Sequence, residues 1–354
     1  MDIFALLPLA AILCNIKNHK NNTEIKENYF SKTQCLSLKG FFSLIIIFHH
    51  LSQSITKGSV FPYYQYFGVL GTTGFFFISG YGLAKQLNTK KEDYIKGFLP
   101  KRLVTLLIPY FFMTVVYYIF RHKTDGYLFK QIFISMAKGN PVVSYSWYII
   151  TILCLYIIFF IAGKIYCTKH KTYVFIGTII LLLALYYAVC ITLHFGGWWY
   201  NTVHTFLIGI LWVTFEDKIF TLIQKKYALW TAIFVTTVVF ALLIKINVQN
   251  NVILSHFTTL LMTSAFALLI PTICIKLDMS RCNVSAFIGK ISLELYLIHG
   301  LAVKMYKYVG LDKENEILFS LSVISLSICS AVILNYCFNN INKVIFKSKI
   351  KKNS

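Results

Sequence analysis

The sequence predicts an all-α, polytopic transmembrane helical bundle of about ten spanning helices, and three observations carry that prediction. Of 354 residues, 57% are hydrophobic and only 13% charged, with a mean hydropathy of +0.66, whereas a soluble domain carries roughly 25% charged residues. The apolar residues come in repeated runs of about 20, enough to cross a hydrocarbon layer of ~30 Å at 1.5 Å per residue. The lysines fall in the short loops between those runs. Such a chain has too much apolar surface for one water-soluble core, so the bilayer is its solvent.

Taken in order, the runs are Leu38 to Ile55, Phe67 to Leu87, Phe98 to Phe120, Val143 to Gly163, Tyr173 to His194, Trp198 to Phe215, Tyr227 to Ile246, Val252 to Ile275, Val284 to Tyr306 and Ile317 to Phe338. An earlier apolar stretch, Ile3 to Ile16, is shorter than a span needs. It reads equally as a signal-like segment, an interfacial helix or an additional helix. The loops are too short for a second domain. Residues 1–37 form a hydrophobic segment and basic loop, 38–340 one membrane unit, and 341–354 a basic tail.

Orientation follows from the basic residues. Of 34 lysines and arginines, 25 lie on one set of alternating loops and 9 on the other. The positive-inside rule places the first set, and with it the C-terminus, in the cytoplasm. The formal charge of +21 would suggest nucleic acid in a soluble chain, but that needs cations gathered on one exposed surface. Here anionic headgroups and topology account for them, and no nucleic-acid partner is expected. Nine scattered cysteines without a C-x-x-C pair carry no metal or disulfide signal.

Ionisable groups inside a bilayer are costly, so those that persist there are where a site is sought. Glu294 is the one carboxylate within an apolar run, and His49, His50, His204 and His299 are the histidines at membrane depth. Lys39 and His50 are separated by ten positions, which puts them about 20° apart on one helix face and roughly 16 Å apart along its axis. Ser43 shares that stripe. A cation at the inner interface is thus linked to an imidazole near mid-membrane, as a charged donor with its reactive end in the bilayer would require. Neutral imidazole takes a proton near pH 7. The alternative is that the histidines bond neighbouring helices and Lys39 marks the interface.

On Gly289 to His299 the rise is roughly 15 Å, which brings His299 to a depth comparable with His50. Glu294 lies some 140° from His299 on that helix, so a direct pair is not expected. It is read as orienting His299, neutralising a cation or bonding Ser and Tyr groups. Trp147, Tyr148, Trp198, Trp199, Tyr200 and His204 form either an interfacial aromatic belt or a sugar-stacking platform. "GFFFISGYG" reads as helix packing through small residues, with Ser79 and Tyr81 as candidate lining of a donor path. No P-loop, dinucleotide fingerprint, G-x-S-x-G or H-E-x-x-H occurs.

Six blocks, "SLKGFFSLIIIFHHLSQ", "GFFFISGYGLAKQ", "FLPKRLVTLLIPYF", "SWYIITILCLYI", "WWYNTVHTFLIGILW" and "GKISLELYLIHGLAV", occur in order over about residues 35 to 305. Together they resemble the acyltransferase 3 membrane family. The resemblance implies a multi-pass protein of the bacterial cytoplasmic membrane that moves an acyl group, often acetyl from acetyl-CoA, to hydroxyls of cell-surface glycans. It implies no permanently bound cofactor and no metal.

By the same resemblance, the basic residue and histidine of the first-helix signature fall on Lys39 and His50. His50 is then the general base, with His49 second, and the "GKISLELYLIHG" block adds Glu294 and His299. The family's usual arginine is a lysine here, which keeps the charge but loses the planar fork that grips phosphate. Lys101 and Arg102 resemble the family's cytoplasmic basic pair and, with Lys85, would bind acyl-CoA phosphates; the alternative, above all for Lys85, is ordinary positive-inside anchoring. A transporter or exporter of a lipid-linked or polysaccharide substrate is the competing reading. Acyl length, acceptor and oligomeric state are encoded in no motif.

Overall fold

The computed structural model describes residues 2, 6–13, 16–18, 28–55, 58–169, 171–248 and 251–352. The loop residues His19, Lys20, Lys26, Lys57 and His170 and the thiol of Cys14 lie outside the described residues, as do residues 3–5, 14 and 15 of the N-terminal apolar stretch.

Among the described residues the regular elements are helices apart from one antiparallel pair of two-residue strands from distant parts of the chain. A short α1 (Leu7–Leu13) and strand β1 (Lys17–Asn18) precede α2 (Lys32–Ser52). A long helical run, α3 (Gly68–Asp125), leads to the short α4 (Phe129–Ala137) and then α5 (Trp147–Lys169) and α6 (Thr172–Thr192). Next come α7 (His204–Thr214), α8 (Glu216–Lys225), α9 (Tyr227–Asn247) and α10 (Val252–Lys276). Strand β2 (Leu277–Asp278) pairs antiparallel with β1, and α11 (Asn283–Lys290), α12 (Ser292–Tyr308), α13 (Leu311–Glu314) and α14 (Glu316–Lys352) complete the chain.

Among the described residues, seven helices are long and apolar enough to cross a membrane, and an eighth span arises if α11 and α12 count as one broken helix. The difference from about ten has three local causes. Helix α3 runs for 58 residues and holds two predicted spans, with non-helical dihedrals only at Lys91 (φ 47°, ψ −127°). The predicted span Trp198 to Phe215 is instead a turn at Gly197–Trp199 followed by the 11-residue α7, about 16 Å long and too short to cross alone. The predicted span Val284 to Tyr306 is broken at Ile291, where α11 stops and α12 begins.

Large apolar side chains remain open along the spans, including Leu181 (70% exposed), Phe240 (59%) and Ile333 (64%). A row of such side chains on long helices is the face a protein turns to lipid. Several hydroxyls within spans are satisfied locally: Thr73, Thr114, Thr178, Thr259 and Thr272 each donate to the carbonyl four residues back, at 2.7–2.8 Å.

The contacts divide the chain into two compact units, residues 1–95 with 158–290 and residues 96–157 with 291–354. In the first, α2 is packed most intimately against α11. A Cβ on Gly40 would collide with the Ser285 carbonyl, and one on Gly289 with the Leu36 carbonyl, so the two backbones meet where only glycine fits. The Ser285 hydroxyl donates to Ser37 O at 3.0 Å across the same crossing. At the Lys32 end of α2, the Gln34 amide donates to Leu277 O at 2.9 Å.

The N-terminal stretch lies along α2 in the opposite sense. The Asp2 carboxylate accepts from the backbone N–H groups of Ser59, Val60 and Phe61, just past the Ser52 end of α2. Lys17 pairs with Asp278 beside its Lys32 end. Cys282 Sγ, between them in depth, donates to Ile12 O. The chain from residue 2 to residue 17 therefore runs from one end of α2 to the other. In the second unit, α12 packs along α14, and α14 continues to Lys352 without a break, taking the predicted basic tail into the helix.

Candidate functional site

Helix α2 sets the first group of residues. Its start is capped by Ser31, whose hydroxyl accepts from Gln34 N at 3.3 Å, and its face toward α3 is made by Phe42 and Ile46, which lie against Gly74 and Gly71. Lys39 is half-buried near the helix start and His50 is buried near its end. Ser43 lies between them, but its hydroxyl donates to Lys39 O at 2.8 Å. That proton is committed to the backbone, so the stripe holds a cation and an imidazole rather than a chain of proton carriers.

The two adjacent histidines have different surroundings. His49 Nδ1 lies 3.2 Å from Tyr64 O, and its Nε2 3.3 Å from the Gln53 amide nitrogen. With the carbonyl as acceptor and the amide as donor, both ring nitrogens of His49 are engaged. Gly68 provides the space, since a Cβ there would strike that ring. The His50 ring meets the His49 ring edge-on at 4.7 Å and turns to the buried side of the helix.

Lys85 behaves differently from the sequence expectation. Its ammonium donates to Glu216 Oε2 at 2.6 Å, while the Tyr29 and Tyr81 hydroxyls both donate to Glu216 Oε1, at 2.8 and 2.9 Å. Trp212 Nε1 donates in turn to the Tyr29 oxygen at 2.7 Å. Burial, then the Glu216 carboxylate, push the Tyr29 phenol well above its ordinary value of 10. This network joins the start of α8 to α3 and the segment before α2, and it uses the charge of Lys85 that was expected to face phosphate. Glu216 was grouped with the loop carboxylates on sequence. The available signal was its place one turn beyond Trp212, at the end of an apolar run.

A cavity of about 520 Å³ opens in the same unit among Asn88, Lys91, Tyr166, Cys167, Thr172 and Thr214. Neither histidine of α2 lines it.

The remaining expected residues belong to the second unit. Lys101 is exposed, and the Arg102 guanidinium sits 5.8 Å from the Phe98 ring centre and 5.6 Å from that of Tyr156. Glu294 is buried and accepts from the Asn335 amide at 3.1 Å, so its partner comes from α14 and not from its own helix. His299 is fully buried, with Nδ1 3.2 Å from Leu295 O. Because α12 starts only at Ser292, His299 stands about 10 Å along it, and the rise measured from Gly289 does not apply.

His299 stacks on Tyr145 at 5.5 Å and 17°. The Tyr145 backbone is left-handed (φ 65°), a conformation that costs a non-glycine residue roughly 1–2 kcal/mol. It is held there by the Tyr296 hydroxyl, which donates to Tyr145 O, and by Gly300, whose missing side chain admits Tyr145 and Tyr117. Burial raises the Tyr145 phenol above its usual range. No sequence pattern pointed to Tyr145, since only the fold brings it to His299.

The profile of the acyltransferase 3 family, described as an acyltransferase domain, matches residues 37–336. No curated protein matches the chain, and no solved structure does. The matched residues include Lys39, His49, His50, Lys101, Arg102, Glu294 and His299.

Proposed function

This chain belongs to the acyltransferase 3 family, and from that premise we propose that it is an integral-membrane O-acyltransferase of the bacterial cytoplasmic membrane, with its lysine-rich loops and C-terminus inside. The donor is a cytoplasmic acyl-CoA, acetyl-CoA first among them, and the acceptor a hydroxyl of a cell-surface glycan or related molecule. The observation that carries the reading is the placing on one face of α2 of half-buried Lys39 near its start and buried His50 near its end.

Neutral imidazole at His50 takes the proton of the acceptor hydroxyl as its oxygen attacks the acyl carbonyl. The carbon–sulfur bond of the thioester then breaks, and the coenzyme A thiolate leaves with the electron pair and is protonated. Lys39, Lys101 and Arg102 are the cations proposed for the donor phosphates. Lys85 is left out of that set because Glu216 holds it. Trp198, 53% exposed, and Tyr200 offer ring faces for a sugar.

The test is release of free coenzyme A from acetyl-CoA by the purified protein. Wild type should turn over, and His50→Ala should be slower by roughly 10² to 10⁴, the usual worth of a general base. Unchanged turnover in that variant overturns the base, and failure of wild type to bind or consume any acyl-CoA overturns the donor. Mass spectrometry of surface glycans from cells with and without the protein identifies the acceptor.

A further inference from the structure

Most span hydroxyls donate back to their own helix, but Ser264 does not. Its neighbour Thr263 keeps to the rule, donating to Thr259 O at 2.7 Å and lying 3.4 Å from His204 Nε2. Ser264 Oγ instead lies 3.0 Å from His204 Nε2, and it has no other hydrogen-bond partner among the described residues. His204 Nδ1 is buried without a partner. With the ring proton on Nδ1, Nε2 accepts the serine proton, which is the arrangement of a nucleophile and its base. Both side chains are half-buried rather than sealed in the core.

The pair lies between the two residues of the α2 signature in depth. Phe266 of α10 meets Phe42 of α2 at 6.1 Å, and α10 ends beside the Lys32 end of α2, so the helices are antiparallel. Ser264 is two residues from Phe266 toward the His50 end, which puts it roughly 7–8 Å beyond the level of Lys39 and about 9 Å short of His50. Helical side chains lean toward their own N-terminus. His50 therefore leans toward the Lys39 end and Ser264 toward the His50 end, which narrows their difference in depth.

We propose that Ser264, activated by His204, carries the acyl group between donor and acceptor, an inference that rests on the acyl-CoA reading above. The Ser264 hydroxyl gives its proton to His204 Nε2 and its oxygen adds to the thioester carbonyl. The carbon–sulfur bond breaks, and the leaving thiolate takes the proton from His204, leaving a serine ester. The acceptor hydroxyl then gives its proton to His50 and attacks the ester carbonyl. The bond to Ser264 breaks, and that proton restores the serine hydroxyl. The relay moves the acyl group outward through the protein without moving coenzyme A.

The experiment uses full-length purified protein, acetyl-CoA labelled in its acetyl group without acceptor, acid quenching and peptide mapping. Wild type and His50→Ala should both carry an acetyl ester on the Ser264 peptide, because no acceptor is present to discharge it. Label should be absent from Ser264→Ala and should form some 10² to 10⁴ more slowly in His204→Ala. Ser264→Cys keeps a nucleophile, so its label should become a hydroxylamine-labile thioester, which separates lost chemistry from lost folding. Release of coenzyme A by wild type with no label at residue 264, or full acyl transfer by Ser264→Ala, overturns the relay and leaves the acyltransferase reading standing. If wild type neither releases coenzyme A nor takes label, both fall.

Discussion

Lys39 and Lys85 are both lysines near the same end of the first unit, and their surroundings give them different work. Lys85 is bound to Glu216 in a network that also holds Tyr29, Tyr81 and Trp212. Lys85→Met should therefore lower the melting temperature while leaving the KM for acetyl-CoA unchanged. Lys39→Met should raise that KM by about 10–100-fold, the worth of a charged hydrogen bond of roughly 1.5–3 kcal/mol, with a smaller effect on kcat. Lys39→Arg should lower KM, because guanidinium grips phosphate with two parallel donors. Steady-state kinetics on the three variants checks this.

Tyr29 adds a pH dependence. Its phenol is held protonated in the folded protein by burial and by Glu216, whereas in the unfolded chain it ionises near pH 10. The unfolded state therefore loses the proton first, and stability falls as pH rises past about 10. Thermal unfolding between pH 8 and 11, in rough steps of one unit, should show that decline in wild type and a flatter one in Tyr29→Phe.

At the scale of elements, the crossing of α2 and α11 is the tightest constraint in the first unit. Gly289→Ala would drive a methyl into the Leu36 carbonyl, and a backbone atom cannot yield as a flexible side chain can. The expected loss is at least the ~1–3 kcal/mol of an overpacked core, read as a lower melting temperature and less monodisperse protein in detergent. Gly82, with nothing near its absent side chain, should accept alanine at no such loss and serves as the control. Hydropathy marked α6, α9 and α10 within two residues because each is one uninterrupted apolar run, and it placed the start of α2 six residues late because its first turns are polar. It missed the break at Ile291 and the shortness of α7. A hydropathy window reads apolar content, and a bend changes none of it.

For the molecule as a whole, the N-terminal stretch has the largest topological consequence. Asp2 is held beyond one end of α2 and Lys17 beside the other. In a cysteine-free background, Asp2→Cys and Lys17→Cys should be labelled by a membrane-impermeant thiol reagent from opposite sides of the bilayer. Labelling of both from one side would mean the stretch does not cross. The sequence left this undecided because Ile3 to Ile16 is short for a helical span; the part described as helix is only Leu7–Leu13, and the contacts that place Asp2 and Lys17 are with residues far along the chain.

The sequence by itself determined the all-α membrane class and singled out Lys39, His49 and His50, because hydrophobic runs, charge placement and spacing along one helix are local properties. Only the tertiary structure decided which lysine Glu216 neutralises, that Glu294 turns to Asn335, and that Ser264 meets His204. Each joins elements distant in the chain. Helix periodicity carries a residue's position on its own helix, but not the identity of what faces it.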